Sequence, residues 1–148
     1  MFRKLLLVLT ACLGLMFAAG LQASQFERFG DLDVHYIVFN TTDLSPEMAE
    51  RYDITRADNR GLINISGRRQ QDDGTTTPVR LAITGTVTNL VGQSRQLSFT
   101  EFEDPQATYY LETVQFTDRE ALRFRLEVED LETGRTHPLR FSKVLWRQ

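Results

Sequence analysis

An all-β domain with one short helix is the fold class that the 148 residues predict: an antiparallel β-sandwich of about seven to eight strands with immunoglobulin-like packing, or alternatively a small β-barrel. Three observations predict it. Apolar and polar residues alternate along residues 79–88 and 122–129. Turn signals recur between such runs, at Gly30-Asp31, Gly92-Gln93-Ser94, Asp104-Pro105 and Glu132-Thr133-Gly134. Only one convincing helix start appears after the leader, at Ser45-Pro46. The Cys…Trp…Cys signature of antibody domains is missing.

Residues 1–23 stand apart from this domain. Met1-Phe2-Arg3-Lys4 is a short basic start, residues 5–20 are almost wholly apolar, and Leu21-Gln22-Ala23 sets a small residue before polar Ser24-Gln25. That is the layout of a secretory signal peptide cut after Ala23, with Ala18-Ala19-Gly20 as a second cleavage point. An uncleaved anchor needs about 20 apolar residues to span a bilayer, and this run is shorter. Cys12 follows Leu9-Thr10-Ala11 as in a lipobox. A lipoprotein tether is polar and flexible, whereas residues 13–20 stay apolar, so Cys12 reads as part of the signal. Residues 24–148 then form one cysteine-free domain in the periplasm, with no transmembrane segment, and long enough to bury a core without disulfides.

In chain order, residues 26–29 and 32–40 read as a hairpin around Gly30-Asp31. Leu32, Val34, Tyr36 and Val38 share one face of the second strand. Asp33, His35, Ile37 and Phe39 share the other, polar at its start and apolar at its end, as in a strand running from a rim into the core. Ser45 suits a helix N-cap and Pro46 the first helical position; Met48, Ala49 and Tyr52 make the buried stripe. A helix of about two turns is marginal alone, so it must lie on a sheet. Residues 62–66 return as a strand with Ile63 and Ile65 inward, and residues 68–78 read as an exposed polar turn region. Single strands are expected over residues 79–88, 96–102 and 107–116, the last buried on both faces. Residues 137–146 close the domain, with a phase slip between Phe141 and Val144 that suggests a bulge.

Total Lys+Arg is 17; without Arg3 and Lys4 it is 15, against 20 Asp+Glu, a formal charge of −5. Such a domain does not attract nucleic acid or anionic lipid in bulk. Lys143 is the single lysine after the leader.

Several segments resemble one family. Tyr36-Ile37-Val38-Phe39-Asn40-Thr41-Thr42, Leu44-Ser45-Pro46-Glu47 and Gly61-Leu62-Ile63-Asn64-Ile65-Ser66 are similar to the DUF4426 family of uncharacterised exported proteins of Gram-negative bacteria. Phe102-Glu103-Asp104, Ala107-Thr108-Tyr109-Tyr110 and Leu122-Arg123-Phe124 fit the same pattern. The resemblance implies a periplasmic location and no established activity. Gly67-Arg68-Arg69 departs from the apolar continuation expected after the third strand.

No residues make a catalytic signature. Asp31, Asp33 and His35 alternate and are the weak candidates for a metal, but a metal site needs three or four converging ligands. No Gly-x-Ser-x-Gly elbow and no Gly-rich phosphate loop occurs. Glu101/Glu103 and Glu127/Glu129 each share a strand face and read as solvated, paired with Arg123 or Arg125. Tyr109-Tyr110 and Trp146 suit a recognition surface, though strand aromatics are usually core. The expected function is therefore non-enzymatic, binding another protein or an envelope component without a cofactor. The candidate surface is Asn40, Thr41, Asp43, Glu47, Asp58 and Arg60, around the helix that interrupts the strand series. The alternative is a small periplasmic hydrolase or metal-binding protein using Asp31, Asp33 and His35.

Overall fold

The computed structural model describes residues 25–148; the signal peptide, its cleavage points and Cys12 lie outside the described residues. Among the described residues, ten strands form two antiparallel sheets with one short α-helix and no closed barrel. The first sheet runs β1 (Gln25–Phe29), β2 (Leu32–Asn40), β3 (Arg60–Gln70), β8 (Ala107–Gln115) and β7 (Thr100–Asp104), with β4 (Thr76–Val79) also on β3. The second runs β10 (Thr136–Leu145), β9 (Glu120–Asp130), β5 (Leu81–Asn89) and β6 (Ser94–Ser98).

The strands outnumber the sequence expectation because two of the expected strands change sheets. Residues 79–88 were expected as one strand, yet Val79 ends β4 in the first sheet and Leu81 starts β5 in the second. Residues 96–102 divide in the same way at Phe99, into β6 and β7. Alternation runs through both crossings, so a period-two pattern does not register them. The polar stretch 68–78 is a hairpin rather than open turn: β3 extends to Gln70 and pairs with β4, Gly67 opposite Val79. No bulge interrupts β10, which stays in register with β9 from Thr136 opposite Glu129 to Leu145 opposite Glu120.

The inner faces supply the core. Leu32, Val34 and Val38 of β2, with Ile63 and Ile65 of β3, meet Phe124, Leu126 and Val128 of β9 and Leu139 and Leu145 of β10. Tyr110 ties the layers together: its hydroxyl accepts from the Leu81 amide at 2.8 Å and donates to Glu101 at 2.9 Å. Burial, and then the bond to Glu101, pushes the phenol up to about 12, so it stays protonated. Glu101 and Glu103 share Arg80, at 3.1 and 3.8 Å, in place of the expected Arg123 or Arg125.

Helix α1 (Pro46–Arg51) is capped as its sequence predicts, Ser45 Oγ accepting from the Met48 amide at 3.2 Å. The segment after it covers the outer face of the first sheet. Tyr52 meets Phe102 edge-on at 5.2 Å, and Tyr52 and Ile54 border Leu62 and Leu111. That cover is why β8 is buried on both faces, with Tyr110 and Val114 inward and Leu111 beneath the helix segment.

Candidate binding groove

The hairpin β1–β2 is unequal. Its register runs from Phe29 opposite Leu32 to Gln25 opposite Tyr36, so residues 37–40 of β2 have no strand beside them on that side among the described residues. Every second residue of such a stretch turns its N–H and C=O outward without a ladder partner. The residues there are Ile37, Val38, Phe39 and Asn40, with no charge. Other outer strands carry charges or proline: Glu27 and Arg28 on β1, Pro78 on β4, Arg95 on β6, Glu101 and Glu103 on β7, Arg140 and Lys143 on β10. Such residues block edge-to-edge pairing. The bare stretch of β2 lacks them.

Beside this edge lies a groove of about 460 Å³ between β2 and β10. Tyr36, Val38 and Asn40 form one wall, Lys143, Leu145 and Trp146 the other, and Asp43 lies at the mouth. Behind the lining, Tyr36 stacks on Phe141 at 4.5 Å and Phe141 on Phe124 at 4.9 Å. Asn40 donates from Nδ2 to the Trp146 carbonyl, and so fixes where β10 leaves the sheet. Ile37, Val144 and Trp146 stay 43%, 38% and 51% exposed, an apolar strip along the opening. In β10 the register sets Lys143 on the same side as Phe141 and Leu145, opposite Leu122 of the core, while Val144 faces outward. Lys143 therefore stands where an apolar side chain is expected.

The six residues expected to share a surface are divided. Asn40 and Asp43 border the groove. Thr41 is fully buried; its hydroxyl donates to the Ala57 carbonyl at 3.1 Å and accepts from the Ala57 amide at 3.0 Å, a structural pin. Glu47 is exposed on α1, outside the groove lining. Asp58 pairs with Arg147 at 3.1 Å. Arg60 faces a different cavity, bordered by β5, β6, β8 and β9. Sequence reading did not assign Ile37, Lys143 or Val144 to a site. The lone lysine in an apolar register is the signal that was available.

Asp31, Asp33 and His35 are occupied separately. Asp33, 4% exposed, accepts from Arg28 Nε at 2.7 Å and Nη2 at 3.1 Å, and from Gln70 at 2.6 Å. The Arg28 bond holds its carboxyl below the usual range, against the burial that pushes it up. The outer face of β2 is therefore buried at its start and exposed at Ile37, the reverse of the expected course from rim to core. Asp31 accepts from Arg69 at 2.7 Å instead, and the His35 ring lies 5.3 Å from Phe26. Burial lowers His35, with Asp33 opposing. Among the described residues no three His, Cys, Asp or Glu side chains converge as metal ligands.

The model of a domain of unknown function, DUF4426, matches residues 26–148. The chain belongs to the DUF4426 family. A crystal structure of a DUF4426 family protein from Pseudomonas aeruginosa PAO1 is 32% identical, covers 87% of this chain and 99% of its own, and superposes with a TM-score of 0.72. Copper-bound variant FetP from uropathogenic Escherichia coli strain F11 is 9% identical at a TM-score of 0.60, covering 85% and 97% of the two chains. FetP as isolated, recombinantly expressed in the periplasm of E. coli, gives 9% and 0.59 over 84% and 95%. At that identity FetP shows that this DUF4426 protein shares a fold, and nothing more. No curated protein matches the chain. Among the described residues no helix of this DUF4426 protein is long and apolar enough to cross a membrane.

Proposed function

We propose that this DUF4426 protein is a non-enzymatic periplasmic β-sandwich that binds another envelope protein in the groove between β2 and β10. The apolar leader over residues 5–20 supports export. The observation that carries the binding reading is the uncharged edge at residues 37–40, unpaired among the described residues, beside an apolar strip of Ile37, Val144 and Trp146. An extended segment with apolar side chains at alternate positions fits there, adding a strand to β2 through main-chain hydrogen bonds. Lys143 and Asp43 border the same groove and favour opposite charges at their positions on that segment.

Affinity capture from periplasmic extract tests the proposal, comparing wild type with Ile37→Lys. Ile37 is exposed, so the substitution leaves the melting temperature within a few degrees while putting a charge on the docking edge. A partner enriched by wild type and lost with Ile37→Lys is the expected result. Equal capture by both proteins contradicts the groove assignment.

A further inference from the structure

Arg60, Arg68 and Arg69 lie on β3, and all three are partly withdrawn from solvent. Arg68 donates to Thr76 Oγ1 at 3.0 Å, to the Thr76 carbonyl at 2.9 Å and to the Gln106 carbonyl at 2.7 Å. Arg69 reaches Asp31, Asp130 and Glu132 at 2.7, 2.6 and 3.1 Å. Arg60 is different. Its Nε is buried without an acceptor, one of only two such side-chain atoms among the described residues. A buried donor left without an acceptor costs free energy, and the rest of this half-buried guanidinium has no acceptor among the described residues either.

The space around Arg60 is a cavity of about 470 Å³, bordered by β5, β6, β8 and β9 and separate from the groove at β2. Val87 and Leu122 make it apolar on one side; Asn89, Gln93 and Gln115 bring neutral polar groups. Its two carboxylates are already engaged. Glu112 accepts from the Ser98 and Thr113 amides at 2.6 and 2.8 Å, and Glu120 from the Thr117 amide and hydroxyl at 2.7 and 3.0 Å. Arg95 donates to the Thr113 carbonyl at 2.8 Å and stands 3.9 Å from Glu112. One cation, Arg60, is left uncommitted.

We infer that this cavity is a binding site for a small organic monocarboxylate, whose carboxylate takes the Arg60 guanidinium and whose apolar body rests on Val87 and Leu122. The planar fork of arginine matches a carboxylate. The nearby Glu112 and Glu120 oppose any added anion, and oppose one of higher charge more strongly than a monocarboxylate. The volume suits a compact ligand. This site stands apart from the partner groove and holds whether or not that reading does.

Amide NMR titration of the exported protein with acetate, benzoate and N-acetyl-leucine tests it, with benzamide and inorganic phosphate as comparators. Benzoate and N-acetyl-leucine are expected to shift the amides of β6, β8 and the start of β3, with affinity rising from acetate to N-acetyl-leucine. Arg60→Gln weakens binding at least tenfold. Gln93→Trp, which narrows the cavity without touching the guanidinium, weakens it as well. Arg60→Met leaves the melting temperature unchanged or higher, because no bond within the fold is lost. The inference is overturned if no monocarboxylate shifts these amides, if benzamide or phosphate binds as well as benzoate, or if Arg60→Gln binds undiminished. A large fall in melting temperature with Arg60→Met also overturns it, since Arg60 then serves the fold.

Discussion

Arg69 and Asp130 join the two sheets at one end of the sandwich, 2.6 Å apart, with Asp130 1% exposed and its other oxygen accepting from the Glu132 amide at 3.0 Å. The Gly67-Arg68-Arg69 departure from an apolar strand has its cause here: the strand end is used for ion pairs. Removing Arg69 leaves Asp130 buried without its cation, so Arg69→Met alone is expected to cost about 3–5 kcal/mol in urea unfolding. The joint change Arg69→Met with Asp130→Leu recovers most of that loss, because no lone charge then remains. The carboxyls also set the acid limb. Asp33 is lowered chiefly by its Arg28 bond; at Asp130 the Arg69 bond and the Glu132 amide outweigh the burial that pushes it up. Depressed carboxyl values mean that their stability is complete above the unfolded value of about 3.9 and is lost as pH falls through the lower folded values. Burial lowers His35 too, so a smaller loss starts as pH drops below about 6.5. Urea midpoints between neutral pH and pH 2 are expected to fall in those two steps, and Asp33→Asn makes the lower step shallower. A midpoint that rises on acidification contradicts these assignments.

At the scale of elements, the strand faces were legible wherever one side is apolar. Alternation along residues 79–88 puts Gly85 on the face of β5 that holds Leu81, Ile83 and Val87, and it sits opposite Leu126 of the core. A methyl at that position collides with the Arg125 carbonyl and comes within 2.6 Å of Leu126 Cδ2. Gly85→Ala is therefore expected to destabilise by about 1–3 kcal/mol or more, read as a fall in melting temperature. The helix start was equally legible from Ser45-Pro46, and Ser45→Ala should cost about 1 kcal/mol by loss of the Met48 amide bond. What alternation hid were the sheet changes at Arg80 and Phe99, because a strand that crosses keeps its period. The β10 phase slip misled for another reason: Lys143 holds an inward register and Val144 an outward one, against their hydropathy.

Across the whole molecule, two sheets enclose one core, and the openings they leave among the described residues include the groove at β2 and β10 and the cavity bordered by β5, β6, β8 and β9. The candidate surface was only partly legible because sequence distance along residues 40–60 does not reveal direction. Asn40 and Asp43 turn to one opening, Arg60 to the other, and Thr41 into the interior. The bare edge of β2 is proposed to receive an extended segment of a partner. Photocrosslinking in living cells, with p-benzoylphenylalanine at Ile37, Val144 or Arg123, tests it most directly. Discrete adducts of one mass at Ile37 and Val144, and none at Arg123 on the exposed face of β9, are the predicted result. Adducts at all three positions alike, or at none, contradict the claim.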